Sequence, residues 1–296
     1  MAAERTLAVG ARTHSVRGIV LMIVAVGLLT VNDGLAKYLS ERYPVGQVLC
    51  LRHFAVLLAI APYAAFATGW HALRARNWAG QCTRGVLFIV GTGLMVLAVK
   101  LLPLATVTSL TMTAPIFVAA LSMPFLGERV NAARWFAILG GFVGALLIVR
   151  PGSAAFEWAL LLALGAALAN GVRDLITRRL ARTETSLSML FWSNVAVAFG
   201  GLATVAADWQ PLDGGGLAWF LFAGVLNALA HFVMIEAMRS GEAALVAPFR
   251  YTALLWAVVV GFVVWGHLPD AWVLTGAAVI AASGIAMILM EARRWR

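Results

Sequence analysis

Two short stretches decide the fold: Gly27-Leu28-Leu29-Thr30-Val31-Asn32 and Gly165-Ala166-Ala167-Leu168-Ala169-Asn170. Each lies in a long apolar run and sets a polar Asn at the same point of it, at an offset of 138 residues. Further on, residues 98–151 align with 237–290 at an offset of 139, without a gap. Ala98 meets Ala237, Lys100 meets Arg239, Ala105 meets Ala244, Val107 meets Val246, and Thr113-Ala114 meets Thr252-Ala253. Gly127 meets Gly266 at a turn, and Ala132 meets Ala271. The chain is therefore read as one unit repeated twice, residues 1–151 and 152–296.

The composition says what the unit is made of. Of 296 residues, 62% are hydrophobic and only 12% are charged. A soluble domain carries about a quarter charged residues. The mean hydropathy of +0.91 shows that the apolar residues are not confined to a core. A helix needs about 20 apolar residues to cross the hydrocarbon layer. Ten such stretches are expected, near 17–38, 45–67, 83–102, 104–126, 132–150, 156–177, 186–207, 217–238, 243–265 and 271–291. Short turns at Tyr43-Pro44, Leu102-Pro103, Pro151-Gly152, Gly214-Gly215-Gly216 and Leu268-Pro269 separate them. The first stretch is too long for a signal peptide and continues through Asn32, Asp33 and Lys37, so it is read as a retained helix.

The net charge of +9 has a topological reading. Of the 22 Lys and Arg residues, fifteen fall on one side of the expected spans. They include Arg12, Arg17, Arg74, Arg76, Arg84, Arg178 and Arg179. Four, Lys37, Arg42, Lys100 and Arg150, fall on the other. By the positive-inside rule both termini are cytoplasmic. No polar face is long enough for nucleic acid, which would need its basic residues clustered. Cys50 and Cys82 fall near opposite ends of the spans, too far apart for a disulfide, and are expected to be buried thiols.

Five spans per repeat is an odd number, so the second copy enters the bilayer from the opposite side. The expected fold is an all-α membrane protein of ten transmembrane helices, built as two inverted five-helix repeats. Secondary transporters use this arrangement, with substrate near the midplane between the repeats.

These residues carry a specific resemblance. Gly27-x4-Asn32-Asp33 with Lys37, Pro44, Arg52, Ala98-x-Lys100-x4-Ala105, Thr113-Ala114-Pro115, Gly127-Glu128 and Gly140-Gly141-x2-Gly144 resemble the EamA-type repeats of the drug/metabolite transporter superfamily. The resemblance covers residues 17–291. The second copy departs from it at Gly266-His267 and at Leu254, with Pro248 nearby. The resemblance implies a secondary transporter in the bacterial inner membrane. Among subfamilies the chain looks most like amino-acid and metabolite exporters, including the aromatic amino-acid exporters. Uptake of another metabolite, such as S-adenosylmethionine, an amine or a carboxylate, is the alternative it leaves open.

An ionisable group inside a span is costly unless it is paired or wet. At about 1.5 Å per residue, Asp33 and Arg52 lie at similar depth on neighbouring helices. They are expected to form an ion pair in the outer half, with Lys37 competing for Asp33. The repeat supplies an inner counterpart, Asp174 with Arg250, with Arg173 as the rival cation. Asn32 and Asn170 accompany the two clusters, which are expected to border opposite gates of one cavity or to staple helices. Phe88, Thr92 and Met95 on the third span, with Thr108, Thr111 and Met112 on the fourth, would line the cavity. Asn227 and His231 on the eighth and Tyr251 and Trp256 on the ninth would complete it. His231 is weighed as a hydrogen-bonded core histidine against a proton carrier. Pro115 and Pro248 are expected to kink their helices.

Competing classes lack their residues. There is no Gly-x4-Gly-Lys-Ser/Thr loop for ATP, and no His-Glu-x2-His or nucleophile–base pair for an intramembrane enzyme. A channel would need a continuous polar stripe, whereas the polar groups here leave an apolar waist. The expected reading is a carrier exporting amino acids or related small metabolites by alternating access. It needs no cofactor or metal, and its partners are its substrate and the bilayer. It would act as a monomer or homodimer, and Gly140-x3-Gly144 would serve close packing within or between protomers.

Overall fold

The computed structural model describes residues 2–64, 66, 69–126, 132–150, 157–207, 209–240 and 246–294. The first half contains α1 (Ala2–Arg42), α2 (Val45–Tyr63), α3 (Trp78–Leu101), α4 (Leu104–Thr111), α5 (Ala114–Leu126) and α6 (Ala132–Val149). The second contains α7 (Ala159–Leu180), α8 (Ser186–Leu202), α9 (Gly214–Arg239), a 3-10 turn (Ala247–Thr252), α10 (Ala253–Trp265) and α11 (Ala271–Arg294). Ten apolar helical segments follow one another, as the hydropathy predicts. The turns expected at Gly127-Glu128 and Pro151-Gly152 lie outside the described residues.

The fourth and ninth segments are interrupted, and the cause is local chemistry. Pro115 lacks the amide hydrogen a helix interior requires. The helix stops at Thr111 and restarts at Ala114, and Thr113 Oγ1 turns back to donate to the Leu110 carbonyl at 2.6 Å. In the second half Pro248 opens the 3-10 turn, and α10 starts at Ala253. Thr252 Oγ1 donates to the Phe249 carbonyl, also at 2.6 Å. Thr113 and Thr252, like Leu110 and Phe249, correspond in the repeat. The same backbone event is thus written twice.

The packing has the same two-fold character. α1 packs on α9 as α7 packs on α3, and α2 on α9 as α8 on α3. α1 meets the 3-10 turn and α10 as α7 meets α4 and α5. The pairs α2–α8 and α6–α11 map onto themselves when the halves are exchanged, and α4 also packs on α10. In the α6–α11 pair Gly144 lies against Gly276 and Ile280, and Gly140 against Ser283. The small-residue motif of α6 therefore serves contact within the chain. The main apolar core, around Leu104, Val107, Leu110, Ile148 and Ile280, occupies this side of the bundle.

Each end carries a cross-repeat clasp. At one end Asp213 caps α9, accepting from the Gly216 amide at 2.8 Å. Tyr43 donates its hydroxyl to Asp213 at 3.1 Å, and Arg42 pairs with it at 3.1 Å. Exposed Asp213 is held below the usual carboxylate range, first by the Gly216 amide and then by the Tyr43 hydroxyl. Gln47 adds two hydrogen bonds to the backbone of Gln210. At the opposite end Asn77 caps α3, accepting from the Gly80 amide at 2.9 Å. Buried Glu184 accepts from the amides of Arg76 at 2.7 Å and Asn77 at 2.5 Å, and from Gln81 and Ser188 at 3.2 Å. In both cases the turn after the first span of one half grips the start of the third span of the other.

Several expectations are corrected. α3 begins at Trp78 and not near residue 83, so Arg84, counted with the cytoplasmic charges, lies within the helix and not at its start. Cys50 is buried but Cys82 is exposed. Trp192, an aromatic residue within a span, lies near the Glu184 end, edge-on to Trp78 with ring centroids 4.7 Å apart, and donates its indole N–H to the Leu73 carbonyl at 2.8 Å.

Candidate transport site

Successive helix residues turn by about 100°, so residues two apart point to nearly opposite faces. On α1 the exposed residues Val24, Val31 and Tyr38 mark an outer, apolar face. Asp33 points the other way, into the bundle, yet it is only half-buried. On α9 the outer face is Phe222, Val225, Leu229 and Phe232, and the opposite, half-buried residues are Asn227 and His231. On α3 the outer face is Val86 and Val90, and the half-buried inward residues are Phe88, Thr92 and Met95. On α2 the outer face is Phe54 and Leu58, with Arg52 turned inward and half-buried. Side chains that face the interior and still expose surface border internal space. Such half-buried inward faces on α1, α2, α3 and α9 mark the candidate site.

Its polar wall differs from the expected ion pairs. Arg52 donates from Nη2 to Asn32 Oδ1 and, at 3.4 Å, to the Asn32 carbonyl. Asn32 is buried and returns a bond from Nδ2 to the Ala223 carbonyl of α9 at 3.0 Å. Asn32 thus holds α1, α2 and α9 together, and no direct Asp33–Arg52 ion pair forms. The reason is spacing: the amide of Asn32 reaches the guanidinium first. Arg52 remains the charge that acts on Asp33, which makes no hydrogen bond or ion pair with the described residues.

Lys37 is not a competitor for Asp33. It is buried and donates to the carbonyls of Val99 at 2.6 Å and Leu102 at 2.9 Å, with its ammonium 5.5 Å from the Trp265 ring. These carbonyls close the C-terminal end of α3, where a helix welcomes a cation.

The second expected pair is also replaced. Arg173 pairs with its neighbour Asp174 at 2.9 Å and lies over the Phe88 ring at 5.1 Å. Asp174 and Arg250 are exposed, and among the described residues no carboxylate pairs with Arg250. His231 has no hydrogen-bond partner there either, so it is not the bonded core histidine of the first reading. The charges acting on it are Arg173 and Arg250. Half-buried Asn170 rests against Gly91 of α3.

Some expected lining residues belong to the packing. Thr108 and Tyr251 are buried in the core. Trp256 fastens α10 to α1, donating to the Ile23 carbonyl at 3.1 Å with its ring on Gly27. Thr111 donates to the Thr108 carbonyl at 3.0 Å beside the helix break, and Met112 packs between two cores.

Sequence reasoning missed the hydrogen-bonded layer next to the site. His53 is buried and bonded to Asn194 at 2.7 Å, joining α2 to α8. Arg84 donates to Thr177 at 2.9 Å, to the Met189 carbonyl at 2.5 Å and to Ser193, joining α3, α7 and α8. The available signal was Ser193-Asn194, a polar pair inside an apolar span.

The fold defines a class: a multi-pass helical membrane protein built from two inverted repeats, with polar residues on the inward faces of its spans. The sequence pattern of the EamA-like transporter family matches residues 16–150 and again 157–290, and the chain belongs to that family. It is similar to a riboflavin transporter of Rhizobium johnstonii, 36% identical over 216 residues, which is 72% of this chain and 71% of that protein. An S-adenosylmethionine uptake transporter of Rickettsia bellii is 25% identical over 280 residues, 95% and 96% of the two chains. A solved crystal structure with 19% identity superimposes with a TM-score of 0.64, covering 96% of this chain and 99% of that one.

Proposed function

We propose that the protein is a secondary transporter, not an enzyme, that carries a small heterocyclic metabolite of the riboflavin kind by alternating access. The observation that carries this reading is the set of half-buried polar residues on the inward faces of α9 and α3. Asn227 and His231 of α9 present hydrogen-bonding groups with no partner among the described residues, and Phe88 and Thr92 on the inward face of α3 add an aromatic ring and a hydroxyl. An aromatic heterocycle with several polar edges suits such a wall, because free donors and acceptors discriminate among polar ligands. The similarity to the Rhizobium johnstonii riboflavin transporter supports the same class.

In this reading residues 1–151 and 152–296 rock against each other. The Glu184 clasp closes the cytoplasmic side and the Tyr43–Asp213 clasp the outer side, with both termini in the cytoplasm. The breaks at Thr113 and Thr252 are the flexing points. Export of amino acids is a second reading, favoured by the Arg173–Asp174 pair at the cavity, whose opposite charges match a zwitterion.

Counterflow in proteoliposomes tests the proposal. Labelled riboflavin, S-adenosylmethionine and an amino-acid mixture are offered to vesicles preloaded with each unlabelled compound. Saturable overshoot with riboflavin supports the first reading. Overshoot with amino acids alone replaces it with the second, and linear, unsaturable flux with every probe overturns the carrier mechanism.

A further inference from the structure

Asp33 is the one acidic residue of the described spans that faces the interior without a partner. Asp174 is exposed and paired with Arg173, and Glu236 lies near the end of α9, paired with Arg17 at 3.6 Å. Asp33 lies within the span Val16–Arg42, on the face opposite the outer residues Val24, Val31 and Tyr38. Among the described residues its carboxylate has no hydrogen-bond donor. A charge in that position is costly unless paired or wet, and the charge acting on it is Arg52, whose Nη2 is turned to Asn32.

We propose that Asp33 is the site at which the coupling proton is taken up and released, making the carrier proton-driven. This rests on the transporter reading above and names the ion that energises it. In the step itself, a water-borne proton forms an O–H bond with an Asp33 carboxylate oxygen on one side of the membrane. The bond breaks to give the proton back to water on the other side. No electron or other group moves. A protonated Asp33 leaves Arg52 and Asn32 bonded as they are, so the helix contacts of α1, α2 and α9 survive both states. The charge of the cavity wall changes by one, which is what substrate binding can sense.

The surroundings contain few competitors. α1 packs on α2, α3, α4, α9, α10 and the 3-10 turn. The charged or titratable groups of these elements are Cys50, Arg52, His53 and Tyr63 on α2, Cys82, Arg84 and Lys100 on α3, His231, Glu236 and Arg239 on α9, and Arg250 and Tyr251 on the turn. α4 and α10 carry none. On α1 itself, Lys37 is bound to the end of α3 and Glu41 to Trp265 at 2.7 Å. Of all these, only Arg52 acts on Asp33. His231, the other unpartnered titratable group of the cavity wall, serves as the comparison.

Two measurements on the full chain in lipid test this. Infrared difference spectra of the substrate-free protein, titrated between about pH 5 and 8, report a carboxylic acid C=O band. The band is expected in wild type, in Asp33→Glu at a shifted frequency and in His231→Gln, and absent in Asp33→Asn. The second measurement is riboflavin uptake with and without an imposed gradient of one pH unit, expressed as a ratio so that a slow variant still reports. One proton per substrate supports accumulation of up to about tenfold. The ratio is expected to rise well above one in wild type and to stay at one in Asp33→Asn.

A wild-type ratio of one, an Asp33→Asn ratio equal to wild type, or a band that persists in Asp33→Asn overturns the proposal. If riboflavin is not carried at all, the substrate reading fails on its own. The infrared band, which needs no substrate, then decides: its loss in Asp33→Asn upholds the proton site, and its absence from wild type overturns it.

Discussion

Gly224 of α9 lies so close to Ala55 of α2 that an added Cβ would stand 2.4 Å from the Ala55 methyl. The repeat has a counterpart, since a Cβ on Gly85 of α3 would stand 2.8 Å from the Ala196 methyl of α8. The two glycines correspond at the offset of 139 that aligns the halves. Each sits where the third span of one half crosses the second span of the other. Gly224→Val and Gly85→Val overfill these crossings, and overpacking costs about 1–3 kcal/mol. Both variants are expected to lower the thermal midpoint of the purified protein, with Gly224→Val the more severe because its contact also involves the Ala55 backbone. Equal, unchanged midpoints would remove the argument for tight crossings.

Lys37 makes a second, different kind of interhelix joint. Its ammonium satisfies two carbonyls at the end of α3, and both lose their partner in Lys37→Met. Hydrogen bonds to charged groups contribute about 1.5–3 kcal/mol, and that loss is the expected drop in unfolding free energy. The loss should be insensitive to salt, because the group is buried and screening acts on exposed charges. Chemical denaturation at low and at high salt measures both points.

Glu184 gives the Glu184-end clasp a pH dependence. Loss of water raises its carboxyl, but the Asn77 and Arg76 amides, with Gln81 and Ser188, hold it below the ordinary 4.5. A folded-state value below the unfolded one stabilises above pH 4.5, and that stabilisation is lost as pH falls through the folded value. Wild type should therefore lose thermal stability on acidification more steeply than Glu184→Gln, which starts lower and lacks this carboxyl. Parallel slopes for the two proteins would show that the clasp does not depend on the carboxylate charge.

The ten spans and the repeat were legible because burial in lipid and an odd number of helices leave plain traces in hydropathy and offset. Even the helix breaks were written in Pro115, Pro248 and the paired Thr-Ala steps. Partner choice was not legible. Asp33 and Asn32 are neighbours in sequence, and which one meets Arg52 depends on a rotation of α1 that hydropathy does not resolve. Lys37 looked like a competitor because one-dimensional depth cannot show that the end of α3 arrives beside it. Tyr251 and Thr108 share a periodicity with the inward residues but are buried in the packing, Tyr251 against Gly284 of α11. In each case the decisive distance is between helices, and a single sequence encodes it only through side chains whose contacts are not yet known.

Asn227 offers the sharpest separation of function from stability. Its amide faces the interior, is half-buried and has no protein hydrogen bond among the described residues, so replacing it removes no protein contact of that kind. Asn227→Leu should leave the thermal midpoint unchanged or raise it slightly, since an unpaired amide gives way to an apolar group of similar size. A substrate that bonds to the amide loses that bond, and a net hydrogen bond is worth about 0.5–1.5 kcal/mol, up to roughly tenfold in affinity. The expected result is a KM in counterflow raised by up to about tenfold at an unaltered midpoint. A variant that unfolds while its remaining folded fraction keeps the wild-type KM would assign Asn227 to packing and move the substrate away from α9.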